Sequence, residues 1–232
     1  MSVRVYLLDV AWLLQESGLE KREFCCLYER LSEGRQQKIR RFRHAEGRAL
    51  SLGAGLLLDY GLSRYGLRER DAAIVYGADE KPYLRDYPEI FFNLSHSGTL
   101  AMAAFADREI GCDVERIAIP DMRVVHRFFA EQEVRRMEKA AALGQEAEYF
   151  YRFWTLKESF LKVTGRGIRM PLNEFCIHLG AQIQVERSGE FLDYSFAEFA
   201  RPGYQMAYCT EGAEPEEVKN PEVLSWEQLS HL

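Results

Sequence analysis

The strongest constraint on the fold is the run from Phe150 to Val163, FYRFWTLKESFLKV. Nothing in it breaks a helix before Gly165. Its apolar residues recur at helical spacing, with Phe150, Trp154 and Leu161 on one stripe and Phe153, Leu156, Phe160 and Val163 on the next. A helix apolar over so much of its girth belongs in a core. Yet Lys157, Glu158 and Lys162 sit inside it, and Glu158 and Lys162, one turn apart, share the face of Trp154. On an open surface such a pair contributes little. At the edge of a cleft, buried aromatics would turn the same two groups into a rigid carboxylate and a rigid ammonium.

The chain has 232 residues, 47% hydrophobic and 28% charged, enough for a real core and too apolar for wholesale disorder. Thirty basic against 36 acidic residues argue against nucleic acid as a bulk partner. Cys25, Cys26, Cys112, Cys176 and Cys209 show neither a disulfide framework nor metal spacing, which points to a reducing cytoplasm; the adjacent Cys25-Cys26 reads as helix packing. Val3 to Leu14 is interrupted by Arg4 and Asp9 and reads as a first strand, not a leader. No stretch approaches the roughly 20 apolar residues of a membrane span.

Glu20 to Arg30 carries helical spacing, and Ser32-Glu33-Gly34 marks a break that also caps the next segment. Arg35 to His44 is the only dense basic cluster, either a solvated helix face or an anion site. Arg48 to Tyr65 reads as a helix in which Gly53 and Gly55 admit another element. After the short strand 73–76, Pro82 fixes the backbone just beyond Lys81. Ile90 to Leu94 reads as a buried strand running into Ser95-His96-Ser97-Gly98, small polar residues at a strand end, where sites are commonly built.

Leu100 to Ala106 and Glu109 to Val114 read as a hairpin turning at Asp107-Arg108. Alternation puts Ile110, Cys112 and Val114 on one face and Gly111, Asp113 and Glu115 on the other, with Gly111 clearing space as for a ligand. Pro120 to Leu143 reads as mostly helical, packing through Phe128, Phe129, Val134 and Met137. Beyond Gly165-Arg166-Gly167, the segments 175–179, 183–185 and 204–209 read as strands of one antiparallel sheet, and 225–232 as a terminal strand or short helix. Gly98 to Ala106 and Gly203 to Cys209 are both glycine-led apolar strands sharing Met-Ala, a faint internal repeat.

Together these signals ask for one ligand. Asp113, Glu115 and Glu158 supply three hard oxygen ligands whose spacing fits no zinc site and favours Mg²⁺ beside phosphate. Lys157, Lys162, Lys81, His96, Lys38, Arg35 and Arg48 are cations for a ligand with several phosphates. There is no P-loop, dinucleotide fingerprint or kinase signature, so side chains must hold the phosphates.

Ile110-Gly-Cys-Asp113-Val-Glu115, followed some forty residues later by Phe153-Trp154-Thr-Leu-Lys157-Glu158-Ser-Phe-Leu-Lys162, resembles the 4'-phosphopantetheinyl transferases. The likeness is to the longer, monomeric type that activates peptide synthetases such as surfactin synthetase. It extends to Arg35–Phe42, Lys81-Pro82, Phe92 to Gly98 and Pro202-Gly203-Tyr204. The resemblance implies an α+β, pseudo-twofold protein of two similar halves, 1–106 and 107–232, each an antiparallel sheet packed with helices, with coenzyme A at their interface. It implies Mg²⁺ on Asp113, Glu115 and Glu158, with Asp113, Glu158 and Lys162 as catalytic groups. Coenzyme A would be lined by Lys81, Pro82, Ser95, His96, Lys38, Arg35, Arg48, Lys157 and Lys162. An acyl or peptidyl carrier protein would offer its serine, docking near Met122–Phe129 and Ile168–Pro171. A magnesium-dependent phosphohydrolase and a non-catalytic coenzyme A-binding module are the rival readings.

Overall fold

In the computed structural model, residues 3–14, 22–77, 80–212 and 220–230 are described, with the side chains of residues 22, 23 and 168 left aside. Residues 20 and 21 of the expected second helix and residues 231 and 232 of the expected terminal element lie outside them. The chain opens with β1 (Arg4–Asp9), the short α1 (Ala11–Leu14), α2 (Arg22–Glu29), α3 (Glu33–Arg41) and the long α4 (Ala45–Ser63). It continues through β2 (Ile74–Tyr76), β3 (Pro82–Leu84), β4 (Phe91–Ser97), β5 (Leu100–Ala106) and β6 (Ile110–Arg116). Three helices come next, α5 (Met122–Phe128), α6 (Glu131–Ala141) and α7 (Glu146–Thr164). The rest is β7 (Phe175–Leu179), β8 (Ile183–Arg187), β9 (Glu190–Phe191), β10 (Tyr194–Arg201), β11 (Tyr204–Glu211), β12 (Glu222–Val223) and α8 (Trp226–Ser230).

Two sheets form the frame, one in the order β12-β1-β5-β4 and one in the order β10-β11-β6. Period-two alternation feeds three cores. In β5, Ala101, Ala103 and Phe105 face α4 and its leucines, while Leu100, Met102, Ala104 and Ala106 face the second sheet. In β11, Met206 and Tyr208 look toward the first sheet, and Ala207 and Cys209 look toward α7. The layers are therefore helices, sheet, sheet, helices.

The glycine-led repeat falls on the two middle strands, with Gly98 and Gly203 at positive φ (59° and 78°) in the hairpin turns that precede them. The α+β pseudo-twofold expectation holds. The return of β12 to pair in parallel with β1 ties the tail to the first sheet.

Several expectations are corrected. The 100–106/109–114 hairpin does not form: β5 already bonds β1 on one side and β4 on the other, so the chain crosses at Asp107-Arg108 and β6 bonds β11. The late strands are not one sheet, because β7, β8 and β9 form their own, and β10 supplies the partner for β11. Phe128 is 39% exposed and does not pack as expected, and Cys25 and Cys26 are exposed. Gly53 behaves as read, since a Cβ there would lie 2.6 Å from Val10. No helix among the described residues is long and apolar enough to cross a membrane.

The two sheets meet where β4 runs beside β6, and the rungs are made by side chains. Asn93 Oδ1 accepts from Cys112 N at 2.9 Å, Ser95 Oγ from Val114 N at 3.3 Å and Ser97 Oγ from Arg116 N at 3.1 Å. Alternate polar positions of β4 thus satisfy alternate amides of β6, and those of Cys112 and Val114 would otherwise be buried unpaired.

Candidate functional site

The catalytic-looking helix α7 ends at Gly165, which takes the left-handed conformation (φ 67°) that a helix C-terminus favours. It lies hard against β6. A Cβ on Gly111 would stand 2.1 Å from Ser159 O and 2.4 Å from Val163 N. The space cleared by Gly111 is therefore filled by the α7 backbone and not by a ligand, which corrects the sequence reading. This close approach carries Glu158 and Lys162 down onto the carboxylates of β6.

The result is an open cleft of about 420 Å³ lined by Ser95, His96, Asp113, Glu115, Trp154, Glu158 and Lys162. Lys162 Nζ donates to Asp113 Oδ1 at 2.6 Å, Ser95 Oγ at 3.1 Å and Cys112 O at 3.0 Å. Ser95 donates to the same Asp113 oxygen at 2.9 Å, and Ser97 donates to Glu115 Oε2 at 2.7 Å. Glu158 has no hydrogen bond or ion pair among the described residues.

Burial pushes the Asp113, Glu115 and Glu158 carboxyls up, and for Glu115 and Glu158 the neighbouring carboxylates add to it. Burial opposes the Lys162 ammonium, but Asp113 first, with Cys112 and Glu158 behind it, outweighs that and holds its pKa above the ordinary lysine value. Asp113 Oδ2 is buried without any partner. Among the described residues no three metal-ligating side chains form a ready-made cluster. The donor set nevertheless suits a hard divalent cation: an orphaned buried oxygen, an unpartnered Glu158 and mutual repulsion that a cation would relieve.

From Leu94 and Lys162 the surface continues into a second recess with Lys81, Pro82, Gly165 and Gly167. Glu80 joins that recess to a third, lined by Arg35, Lys38 and Arg41. Lys81 is tied to the Glu109 carboxylate and donates to Val163 O at 3.0 Å, so it bridges the residue just before β6 and the end of α7. Ser32 caps α3 by accepting from Arg35 N, and buried Glu69 accepts from Ser32 and faces the Arg35 guanidinium at 3.7 Å. Burial and then Arg35 lower the Lys38 pKa. Burial lowers that of His96, with Lys162, Lys38 and Arg35 adding to it, so His96 senses both ends of the track.

Two expected residues stand elsewhere. Arg48 donates to Phe42 O at 2.9 Å and bridges the turn between α3 and α4. Lys157 is wholly buried on the far side of α7, paired with Glu133 at 2.7 Å. Glu109, which holds Lys81, was not foreseen as part of the site, whereas Arg41 and Ser97 were read only within the 35–44 cluster and the 95–98 strand end. Ser97 was findable as the third polar residue at period two in an apolar strand, and Arg41 as the third cation at spacing three after Arg35 and Lys38.

The family model of the 4'-phosphopantetheinyl transferase superfamily matches residues 109–209. Among curated proteins, the chain is 31% identical over 203 residues to 4'-phosphopantetheinyl transferase Sfp of Bacillus subtilis (strain 168), covering 86% of this chain and 89% of that protein. It is 32% identical over 225 residues to 4'-phosphopantetheinyl transferase ffp of Bacillus subtilis, covering 94% and 97%. A third, 4'-phosphopantetheinyl transferase psf-1 of Bacillus pumilus, is 32% identical over 197 residues, covering 82% of each.

Proposed function

The chain belongs to the 4'-phosphopantetheinyl transferases, and from that premise we propose that it moves the phosphopantetheine arm of coenzyme A onto a serine of an apo acyl or peptidyl carrier protein in the cytoplasm. The observation that supports this most is the juxtaposition of Asp113, Glu115, Glu158 and Lys162 in one cleft that continues to Lys81 and the Arg35–Lys38–Arg41 recess. An acidic end suited to a cation and a basic end suited to anions match a nucleotide with a pyrophosphate at one end and a 3'-phosphate at the other.

In this reading Lys38, Arg41 and Arg35 hold the 3'-phosphate, Lys81 and Pro82 the nucleotide, and His96 and Ser95 the phosphates near the cleft. The carrier serine oxygen bonds to the β-phosphorus, the bridging P–O bond breaks, and 3',5'-ADP leaves with the electron pair. Lys162, fixed by Asp113, neutralises charge on the leaving phosphate. Glu158, which no hydrogen bond among the described residues ties down, is the carboxylate that takes the serine proton. Asp113, Glu115 and Glu158 would hold Mg²⁺, which supplies charge neutralisation on the pyrophosphate when bound.

Intact-mass analysis of apo carrier proteins incubated with the chain, coenzyme A and Mg²⁺ tests the proposal. A gain of one phosphopantetheine on the carrier with release of 3',5'-ADP is expected. No gain across fatty-acid, polyketide and peptide carriers would overturn it, and 3',5'-ADP release without a carrier would instead mark a hydrolase.

A further inference from the structure

Lys157 lies in the same motif as Glu158 and Lys162, yet it does not reach the cleft. Its side chain and that of Glu133 are both 0% exposed. The ammonium donates to Glu133 Oε1 at 2.7 Å and to Phe175 O at 2.9 Å, and stands 4.1 Å over the Phe175 ring and 5.8 Å over that of Phe129. Glu133 Oε1 also accepts from Ile177 N at 2.7 Å, while Oε2 reaches back to Ala130 N at 2.9 Å. One buried point therefore joins the first turn of α6, the middle of α7 and the first residues of β7.

An apolar pair of similar volume would suit this aromatic core equally well, and buried ion pairs are a poor means of gaining stability. What the pair adds is placement. Aromatic and aliphatic contacts let a helix slide or turn at small cost, whereas an ammonium with two fixed acceptors does not. Successive helix residues are about 100° apart, so holding Lys157 inward fixes Glu158 and Lys162 toward the cleft. A turn of α7 by some 20° would displace those side-chain ends by about 2 Å. A displacement of about 1 Å in a reacting group can already lower turnover by about 100-fold.

We propose that Lys157 is a positioning residue: its buried ion pair with Glu133 sets the rotation and height of α7, and through them the place of Glu158 and Lys162 over the carboxylates of β6. The catalytic consequence rests on the transferase reading above, but the placement itself does not.

Two variants test this. Glu133→Gln/Lys157→Met removes both charges and keeps an acceptor for Ile177 N; Glu133→Asp keeps both charges but shortens the link. The double variant is expected to hold a near wild-type denaturant midpoint. Both variants should bind coenzyme A within about twofold of wild type, with kcat for carrier modification at least about tenfold lower and faster amide exchange across 154–162. A folded variant with wild-type kcat and unchanged exchange overturns the proposal. So does a loss of coenzyme A affinity that matches the loss of kcat, because that marks general damage. If the double variant fails to fold, Glu133→Asp decides. If wild type itself modifies no carrier, the functional reading fails, and the exchange measurement still decides the role of Lys157.

Discussion

Lys162 donates to Asp113 at 2.6 Å, across from α7 to β6, while Glu158, one turn before it on the same helix, has no hydrogen-bond partner among the described residues. The acid and the ammonium of the motif are thus not a surface pair. One is locked and the other is left open.

Lys162→Met should leave Asp113 buried without its cation. Stability is expected to fall by about 1–3 kcal/mol and transfer by about 100-fold. Glu158→Gln removes a carboxylate that its neighbours repel, so the same loss of transfer should come with an unchanged or higher melting temperature. Thermal melts beside the mass assay distinguish the two, and a Glu158→Gln protein that melts well below wild type contradicts an unpartnered Glu158.

Gly111→Ala should separate β6 from α7. The added methyl meets helix backbone at 2.1 Å and 2.4 Å, atoms that cannot move aside as a flexible side chain would. Overpacking of this kind costs about 1–3 kcal/mol. Because the strand carries Asp113 and the helix carries Lys162, activity should fall further than the loss of stability alone explains. An alanine variant with full transfer would show that the two elements need not touch.

His96 gives a pH dependence with a definite sign. Burial, and then Lys162, Lys38 and Arg35, hold its pKa below the ordinary value, so the unfolded chain binds its proton first. Stability from this group is fully present above about 6.5, the unfolded value, and is lost as pH falls below that through the lower folded value. A polyanionic ligand beside His96 reverses the preference. Coenzyme A binding at about pH 6 should therefore take up a proton. Calorimetric titrations in two buffers of different ionisation heat measure it, and His96→Asn should abolish it. Equal uptake in both proteins would place the proton elsewhere.

Lys38→Ala and Arg41→Ala should weaken coenzyme A by about tenfold each and leave dephospho-coenzyme A nearly unaffected. The distinction needs only dissociation constants for the two ligands. A uniform loss for both would move the 3'-phosphate away from this recess.

Much of this arrangement can be read from the sequence. The alternation of β6 assigned Asp113 and Glu115 to one face, helical spacing put Glu158 and Lys162 together, and the glycine-led repeat fell on the two middle strands. The misreadings share one cause. Whether a cleared space receives a ligand or a helix, as at Gly111, depends on a partner distant in sequence. So does the direction of Lys157: a lysine in an aromatic helix is read as reaching out unless Glu133, 24 residues earlier, is known to lie beneath it. The false hairpin at Asp107-Arg108 failed for the same reason, because only the long-range pairing with β1 fills the second edge of β5.

The rungs between β4 and β6 have a consequence for how this protein can change. Backbone pairing is nearly blind to which residues it joins, so mutation seldom tunes it. Here the seam between the sheets is written in Asn93, Ser95 and Ser97, one codon to a rung. The seam is therefore open to selection in single steps with neither sheet rebuilt, and at Ser95 and Ser97, which also donate to Asp113 and Glu115, the same step reaches the acidic cleft.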